Sequence, residues 1–297
     1  TYQIYNSKEK IKNNFSKLKY VLVGYDLLFH NEISLAFKHL KIETISIQDR
    51  ILIPSWSHIM CFDYYFTLGP ESKKILMKRM NNTVKYLKKI QILKINFPIK
   101  KKKYINKNKI KCLIIDYHSL NEKKWYENGR IIHNWKSNFD FYYTILSLSN
   151  KYKNIFFYIK SKNYSWLKNS NFKNLVKNLK KQKNIKILNN KKKWTPDRSI
   201  NFTDFAIAKY SSLSDQMLYL NKPVIVHNYE KFPGLIFNFS NKLLVKNSTE
   251  LENKINAILK NYKNYNKSLK MERKNLFFFK IKNNSLINLL TSLDKKL

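Results

Sequence analysis

Cysteine, glycine and proline are scarce in this chain of 297 residues, which has only two, four and six of them. Two thiols without a Cys-x-x-Cys spacing exclude a disulfide framework and a cysteine-based zinc site, so we expect Cys61 and Cys112 to be small buried residues. The sequence has no apolar run near the roughly 18–20 residues of a membrane-spanning helix and no signal peptide. We therefore expect a cytoplasmic protein, soluble or at most peripheral on the inner face of the membrane.

Acidic residues are also few: 19 stand against 58 lysines and arginines, a formal net charge of +39. A polyanionic partner is one explanation. The other is codon bias, because Lys, Asn, Ile, Tyr and Phe are all over-used together, as an AT-rich genome produces. The lysines are spread along the whole chain, which favours bias and leaves open a basic face that lies on an anionic membrane. We do not expect nucleic acid as a partner, since no helix-turn-helix, RRM or OB signature is present.

Strand and helix patterns alternate along most of the chain, which predicts an α/β fold with doubly wound parallel sheets. The first run includes strands at Tyr20–Gly24 and Thr44–Ile47 and a helix over Ser72–Leu87. A second run begins at Lys111–Asp116, and the charged residues 99–109 between the runs resemble a linker. We therefore predict an N-terminal domain over residues 1–105 and a C-terminal domain over residues 106–297.

The pattern that most directly suggests a ligand lies in the second run. The buried strand Asp204–Ala208 leads through Lys209, Tyr210 and Ser211 into a helix, and a strand at Val224–Val226 follows. Ser212 and Asp215 have the spacing of a capping box, which predicts Ser212 as the helix N-cap. Amides and hydroxyls at such a helix start form an anion site, and Lys209 would add positive charge. A merely well-capped helix is the alternative.

The segment DFAIAKYSSLSDQMLYLNKPVIVHNYEKFPG resembles the donor site of GT-B-type transferases, in particular CDP-glycerol glycerophosphotransferases and related capsule and surface-polysaccharide glycosyltransferases. The residues that match are Tyr210, Ser211, Ser212, Asp215, Lys222 and Pro223. The resemblance implies two Rossmann-like doubly wound domains facing a cleft, with the hydroxyls and amides of this segment holding a donor diphosphate. The family's catalytic His-Gly pair is replaced by Gln48-Asp49-Arg50, which favours a sugar-transferring relative. The N-terminal domain is short for this fold, so we expect a front portion to be missing.

Two residues of one loop are the predicted catalytic base of an inverting glycosyl transfer, which must take the acceptor hydroxyl proton. Asp49 directly follows a strand, and His58 has the more suitable ordinary pKa. The alternatives are an Asp49–Arg50 surface ion pair and a polar loop histidine. The sequence has no Asp-x-Asp and no metal-ligand spacing of histidines, so we predict neither a metal nor a cofactor.

Polar clusters elsewhere in the second run complete the predicted donor site. His118 follows a strand that ends near Asp116, and Asn128, Gly129 and Arg130 follow in a loop, where Arg130 would pair with a phosphate. Glu230 is a predicted ribose ligand, and Lys160–Asn163 would contact the base or ribose. The alternatives are that His118 caps a strand and that Arg130 is solvated.

Together these patterns predict a metal-independent glycosyltransferase. It would move a sugar from a nucleotide-sugar donor to a saccharide or lipid-linked acceptor in surface-polysaccharide synthesis. Glycerophosphotransferase-like polymer synthesis, a catalytically silent relative and a nucleic-acid-binding protein are the alternatives.

Overall fold

A computed structural model describes most of the chain. The described residues are 8–13, 17–23, 30–51, 61–79, 84–90, 108–116, 125–127, 130–133, 135–190, 192–209, 211–230, 240, 242–279, 288 and 291. They form two compact units. Unit 1 comprises Thr1–Leu93, Gly234–Ile236 and Met271–Leu297, and unit 2 comprises Lys94–Pro233 and Phe237–Lys270. Within the described ranges, no helix is both long and apolar enough to cross a membrane.

Unit 1 is built on a parallel sheet whose described strands run in the order β1-β2-β3-β4. Its buried residues include Ile45, Tyr65 and Phe66 from the central strands and Leu76 from the helix after β3. In chain order its elements are α1 (residues 8–13), β1 (Tyr20–Val23), α2 (Asn31–His39), β2 (Glu43–Ile47), β3 (Phe62–Thr67), α3 (Pro70–Arg79) and β4 (Val84–Lys89).

The predicted helix over Ser72–Leu87 is wrong in its second half, since α3 ends at Arg79 and Val84–Lys89 forms the strand β4. Only Val84 and Leu87 of β4 are partly buried, and the other four residues are exposed. A spacing of three between apolar residues imitates a helix, so this edge strand lacks the alternation by which a strand is recognised.

Unit 2 is built on a parallel sheet whose described strands run in the order β12-β11-β10-β5-β8-β9, beside a two-stranded antiparallel hairpin, β6–β7. The strands are β5 (Ile110–Ile115), β6 (Trp125–Glu127), β7 (Arg130–His133), β8 (Ile155–Lys160), β9 (Ile185–Ile187), β10 (Phe205–Ala208), β11 (Val224–His227) and β12 (Leu244–Val245). The helices are α4 (Trp135–Lys151), α5 (Lys173–Lys181), α6 (Pro196–Phe202), α7 (Ser212–Tyr219), α8 (Ser248–Lys260) and α9 (Tyr262–Ser268). The next helix, α10 (Lys270–Leu276), belongs to unit 1 from Met271 onward.

A large core of buried side chains holds unit 2 together. The middle strands β5, β8 and β10 are almost wholly buried, and Cys112 of β5 lies in this core, whereas Cys61 of unit 1 is only half-buried. Phe141 and Ile145 of α4 and Ile255 of α8 pack in the same cluster. Strands buried on both faces read as continuous apolar runs, which is why these strands were predictable from the sequence.

The end of the chain differs from the predicted division, because Met271–Leu297 belongs to unit 1. The backbone amide of Phe278 donates to the carbonyl oxygen of Leu68 at 2.6 Å. A Cβ on Gly69 would lie 2.0 Å from the carbonyl oxygen of Leu276, so the close approach of these two backbones requires glycine. The predicted boundary at residue 105 itself falls outside the described residues.

Candidate functional site

Three neighbouring strands of unit 2 end together. Ala208 of β10 pairs with Val226 of β11 on one side and with Ile115 of β5 on the other. The residues that follow these strands, Lys209, Asn228 and Asp116, are all buried. In open parallel sheets ligands bind beyond the carboxyl ends of the strands. This edge of the sheet is therefore the candidate site of unit 2.

The helix α7 starts at this edge, and its N-cap is Ser211, not Ser212. Ser211 has extended backbone angles (φ −160°, ψ 142°), and its hydroxyl accepts a hydrogen bond from the amide of Leu213. Ser212 is the first helical residue, so Asp215 stands one position too far along to complete a capping box, and its side chain is buried. The positive end of the helix dipole, with Ser211 and Ser212 at the helix start, still lies just after the end of β10.

Lys209 and Glu230 form a buried ion pair at the same edge. The ammonium group of Lys209 contacts Oε1 of Glu230 and also donates to the carbonyl and hydroxyl oxygens of Ser137 at 3.2 and 3.3 Å. Burial acts to raise the pKa of Glu230, but the charge and hydrogen bond of Lys209 outweigh it, so the pKa lies below its ordinary value. Lys209, which the sequence predicts as a positive charge at the anion site, is therefore bound to Glu230, the predicted ribose ligand.

His227, at the end of β11, is almost wholly enclosed by this cluster. Its ring stacks on Tyr229 at 3.8 Å and meets Phe141 edge-on at 4.9 Å, between ring centroids. Neither ring nitrogen has a hydrogen-bond partner among the described residues, and Nδ1 lies 4.0 Å from Oε2 of Glu230. Burial is the main cause that lowers the pKa of His227 to about 3, with Glu230 opposing it and Lys209 adding to it. The histidine is consequently neutral at physiological pH.

Because His227 is buried and neutral, we expect the fold to lose stability in acid, and we expect the substitution His227→Phe to remove this part of the acid sensitivity. The folded-state pKa of about 3 lies below the ordinary 6.5, so the unfolded chain binds a proton that the folded chain does not. Stability is full above pH 6.5 and declines as the pH falls toward the folded pKa, by about 2 kcal/mol at a pH of about 5. Urea unfolding of wild type and variant at both pH values measures this loss.

The variant His39→Gln, at the exposed end of α2, serves as the control and is expected to keep the wild-type decline. Phenylalanine preserves the aromatic contacts of His227 with Tyr229 and Phe141. An equal decline in His227→Phe and wild type would contradict this origin of the acid lability.

A second buried network lies at the ends of β5 and β8. Asp116 accepts hydrogen bonds from the Tyr142 hydroxyl at 2.5 Å and from the Lys162 amide at 3.1 Å, and the indole of Trp166 donates to the Ser161 hydroxyl at 3.0 Å. Burial raises the pKa of Asp116. This carboxylate ties the chain after β8 to the end of β5, so it positions the edge of the site. The sequence signal for it was a lone Asp at a strand end.

The structure describes some of the other predicted donor-site residues. Within Lys160–Asn163, which looks exposed in the sequence, Lys160 donates to the carbonyl oxygen of Trp194 and Ser161 is buried. Arg130 is not in a loop, since it begins β7 and pairs with Glu127 across the hairpin. Asn-Gly between two strands is a typical hairpin turn, a signal that the sequence interpretation missed. His58, His118, Asn128, Gly129 and Tyr210 lie outside the described residues.

Asp49 lies in unit 1, just beyond the end of β2. The preceding Gln48 is buried and fixes the turn, because its side-chain amide binds the Leu68 amide, the Ser72 hydroxyl and the Arg50 carbonyl oxygen at 2.7–2.9 Å. The carboxylate of Asp49 is 3.9 Å from Nε of Arg50, and each side chain is only 12% exposed. The pair is therefore mostly buried, in contrast to the surface ion pair considered as an alternative.

Comparison with known proteins finds similarity in structure only. No family model matches the chain, and no curated protein matches it. The UDP-GlcNAc 2-epimerase of Neisseria meningitidis, bound to UDP-GlcNAc, is 16% identical with a TM-score of 0.62, over 98% of this chain and 80% of that one. The putative UDP-N-acetylglucosamine 2-epimerase of Listeria monocytogenes is 12% identical with a TM-score of 0.63, over 99% and 78%.

Anabaena HepE, in complex with UDP and glucose, is 10% identical with a TM-score of 0.56, over 96% of this chain and 80% of that one. At these identities the likeness shows the fold. The predicted fold class is thereby confirmed: this is an α/β protein of the GT-B type, with parallel sheets in two Rossmann-like domains.

Proposed function

We propose that unit 2 binds a nucleotide sugar and that the protein transfers the sugar to a saccharide or lipid-linked acceptor in the making of a surface polysaccharide. The observation that carries the proposal is the start of α7, capped by Ser211, at the carboxyl end of the buried strand β10. The fold supports it, because the Neisseria epimerase was solved with UDP-GlcNAc and HepE with UDP and glucose.

In this proposal the start of α7 binds the donor diphosphate. The hydroxyls of Ser211 and Ser212 and the positive end of the helix dipole stabilise its negative charge. Glu230 accepts hydrogen bonds from the ribose hydroxyls, and Lys209 is a positioning residue that holds the carboxylate in place. Tyr210, His118, Asn128, Gly129 and Arg130 remain predicted donor-binding residues.

Sugar transfer then requires one proton acceptor and one stabilised leaving group. The acceptor oxygen attacks the anomeric carbon and gives its proton to Asp49 or His58, while the bond between that carbon and the diphosphate oxygen breaks. The helix start takes up the charge that develops on the leaving diphosphate, so the proposed reaction requires no metal. Full turnover in excess EDTA is expected.

A second candidate function is epimerisation at C2 of a UDP-sugar, favoured by the likeness to the Neisseria and Listeria proteins. Incubation of the chain with UDP-GlcNAc, followed by proton NMR, separates the two. An epimerase forms an isomeric UDP-sugar without any acceptor, whereas a transferase releases UDP only when a saccharide or lipid-linked acceptor is added. Release of CMP from CDP-glycerol would instead indicate glycerophosphate transfer.

The double substitution Ser211→Ala/Ser212→Ala tests the diphosphate site directly. Because hydrogen bonds to a charged group contribute about 1.5–3 kcal/mol each, loss of both hydroxyls is expected to weaken UDP binding by about a hundredfold or more. Isothermal titration of the full chain with UDP measures the change.

Asn247→Ala is the matched control, since Asn247 caps α8 of the same unit and accepts from the Glu250 amide at 2.8 Å. Both changes remove a helix cap that contributes about 1 kcal/mol to stability, but only the serine variant should bind UDP more weakly. Equal affinities for all three proteins would overturn the proposed site.

A further inference from the structure

One side of α3 in unit 1 carries a basic stripe. Lys73, Lys74, Met77 and Lys78 follow Pro70 at steps of three and four residues, which places them on the same side of the helix. Met77 is 65% exposed, whereas Ile75 and Leu76 on the other side are buried in the unit. The helix thus anchors itself by one face and presents ammonium groups around an exposed thioether on the other.

The stripe borders a hollow of about 550 Å³. We call it the basic hollow, and its lining residues are Pro70, Lys73, Lys74, Met77, Lys78, Lys89 and Phe278. None of these described lining residues is acidic. Lysine stems, the proline ring, Met77 and Phe278 give it walls of carbon, and the ammonium group of Lys89 lies 5.3 Å from the centroid of the Phe278 ring. Apolar walls thus lie beneath a rim of positive charge.

We propose that the basic hollow is a docking surface for a membrane containing anionic phospholipid. Lysines extend their aliphatic stems along apolar surface while the ammonium groups reach phosphates at the headgroup level. Met77 and Phe278 match the acyl boundary below those headgroups. A nucleic acid would meet the same charge, but these carbon walls offer its bases no hydrogen bonds.

The basic hollow is independent of the proposed nucleotide site, because its residues belong to unit 1 and the site belongs to unit 2. The proposal also distinguishes two explanations of the high charge. If the lysines result from codon bias, they are spread over all surfaces and the protein binds anionic vesicles through its net charge alone. If the basic hollow is a dedicated face, the loss of vesicle binding on substitution depends on where the lysine lies.

The test is co-sedimentation of the full chain with vesicles of phosphatidylcholine, with and without phosphatidylglycerol, at physiological salt. Each lysine near an anionic surface contributes about fivefold to binding, so Lys73→Gln/Lys74→Gln/Lys78→Gln should weaken binding to the anionic vesicles about a hundredfold. The matched control is Lys173→Gln/Lys177→Gln/Lys180→Gln on α5. These three lysines are exposed, and the control variant removes the same charge as the α3 variant. We expect the control to change binding less than about fivefold.

The apolar part of the proposal has its own comparison. Met77→Ser should weaken vesicle binding severalfold, while Leu22→Ser, which removes a 56% exposed apolar side chain of β1, should leave it unchanged. Equal losses in the two lysine triples would show attraction by net charge and overturn the proposal. Binding of single-stranded RNA that the α3 triple abolishes, with vesicle binding unaltered, would overturn it in favour of nucleic acid. None of these measurements depends on enzymatic activity.

Discussion

Replacing Lys209 by methionine is expected to lower the free energy of unfolding by about 3–5 kcal/mol at neutral pH. The methionine has a similar length and can keep the contact of Lys209 with the Phe141 ring, but it leaves the carboxylate of Glu230 without its ammonium partner. An uncompensated buried charge is among the most destabilising changes a single substitution makes. Urea unfolding followed by tryptophan fluorescence measures it, since Trp166 and Trp194 of unit 2 are both buried.

The loss of unfolding free energy in Lys209→Met should be smaller at acidic pH than at neutral pH. In the wild type the pKa of Glu230 lies below its ordinary 4.5, so the contribution of the pair is present above that value and is lost as the pH falls through the folded pKa. Without Lys209, burial raises the pKa instead, and the carboxyl is protonated in the folded variant as the pH falls. The difference between variant and wild type should therefore narrow on acidification.

The double variant Lys209→Met/Glu230→Leu is the control that separates charge from packing. Replacing both members of a buried pair by apolar side chains is often nearly neutral, so we expect most of the lost stability to return. A loss below about 1 kcal/mol in the single variant, or no recovery in the double one, would contradict the assignment.

UDP binding gives a second measurement on the same variants. If Lys209 positions Glu230 for the ribose, both Lys209→Met and Glu230→Gln should weaken UDP binding, and the two effects should be far from additive. If Lys209 itself contacts phosphate, the two losses should add.

The sequence predicts the elements of this edge better than it predicts their interactions. The strand, helix and strand from Phe205 to His227 were predictable because β10 and β11 are continuous apolar runs and Pro223 separates helix from strand. The predicted N-cap, Ser212, is wrong by one residue, because Ser211 and Ser212 have equal capping propensity and only the backbone angles distinguish them. Element type is set locally, but the exact cap depends on how the chain leaves β10.

The pairing of Lys209 with Glu230 depends on tertiary structure and could not be predicted from local pattern. The two residues are separated by a whole helix and a strand, and they meet because β10 and β11 are parallel neighbours in one register. The burial of His227 also depends on tertiary structure, since the ring of Phe141, from a distant helix, packs against it together with that of Tyr229. Charged residues at the ends of strands therefore indicate from the sequence where a site lies, whereas the role of each charged residue depends on the side chains that contact it in the folded protein.

Replacing Asp49 by asparagine is the prediction with the largest expected effect on activity. As the proposed base, Asp49 takes the acceptor proton, and loss of a general base lowers turnover about a hundredfold to ten-thousandfold. Asparagine keeps the shape of the side chain, and the turn stays fixed by the three contacts of the Gln48 amide. Turnover should fall while the affinity for UDP, whose proposed site lies in unit 2, stays at the wild-type value.

Glu43→Gln is the matched control. Glu43 is the first residue of β2 and Asp49 lies beyond its last, so this substitution removes a carboxylate at the opposite end of the same strand. We expect its turnover to match the wild type. If Asp49→Asn retains turnover within about threefold of the wild type, Asp49 is not the base, and the same measurement on His58→Asn then tests the other predicted residue. A fall in turnover for Asp49→Asn that disappears at saturating acceptor would assign Asp49 to acceptor binding, since a base acts in the chemical step itself.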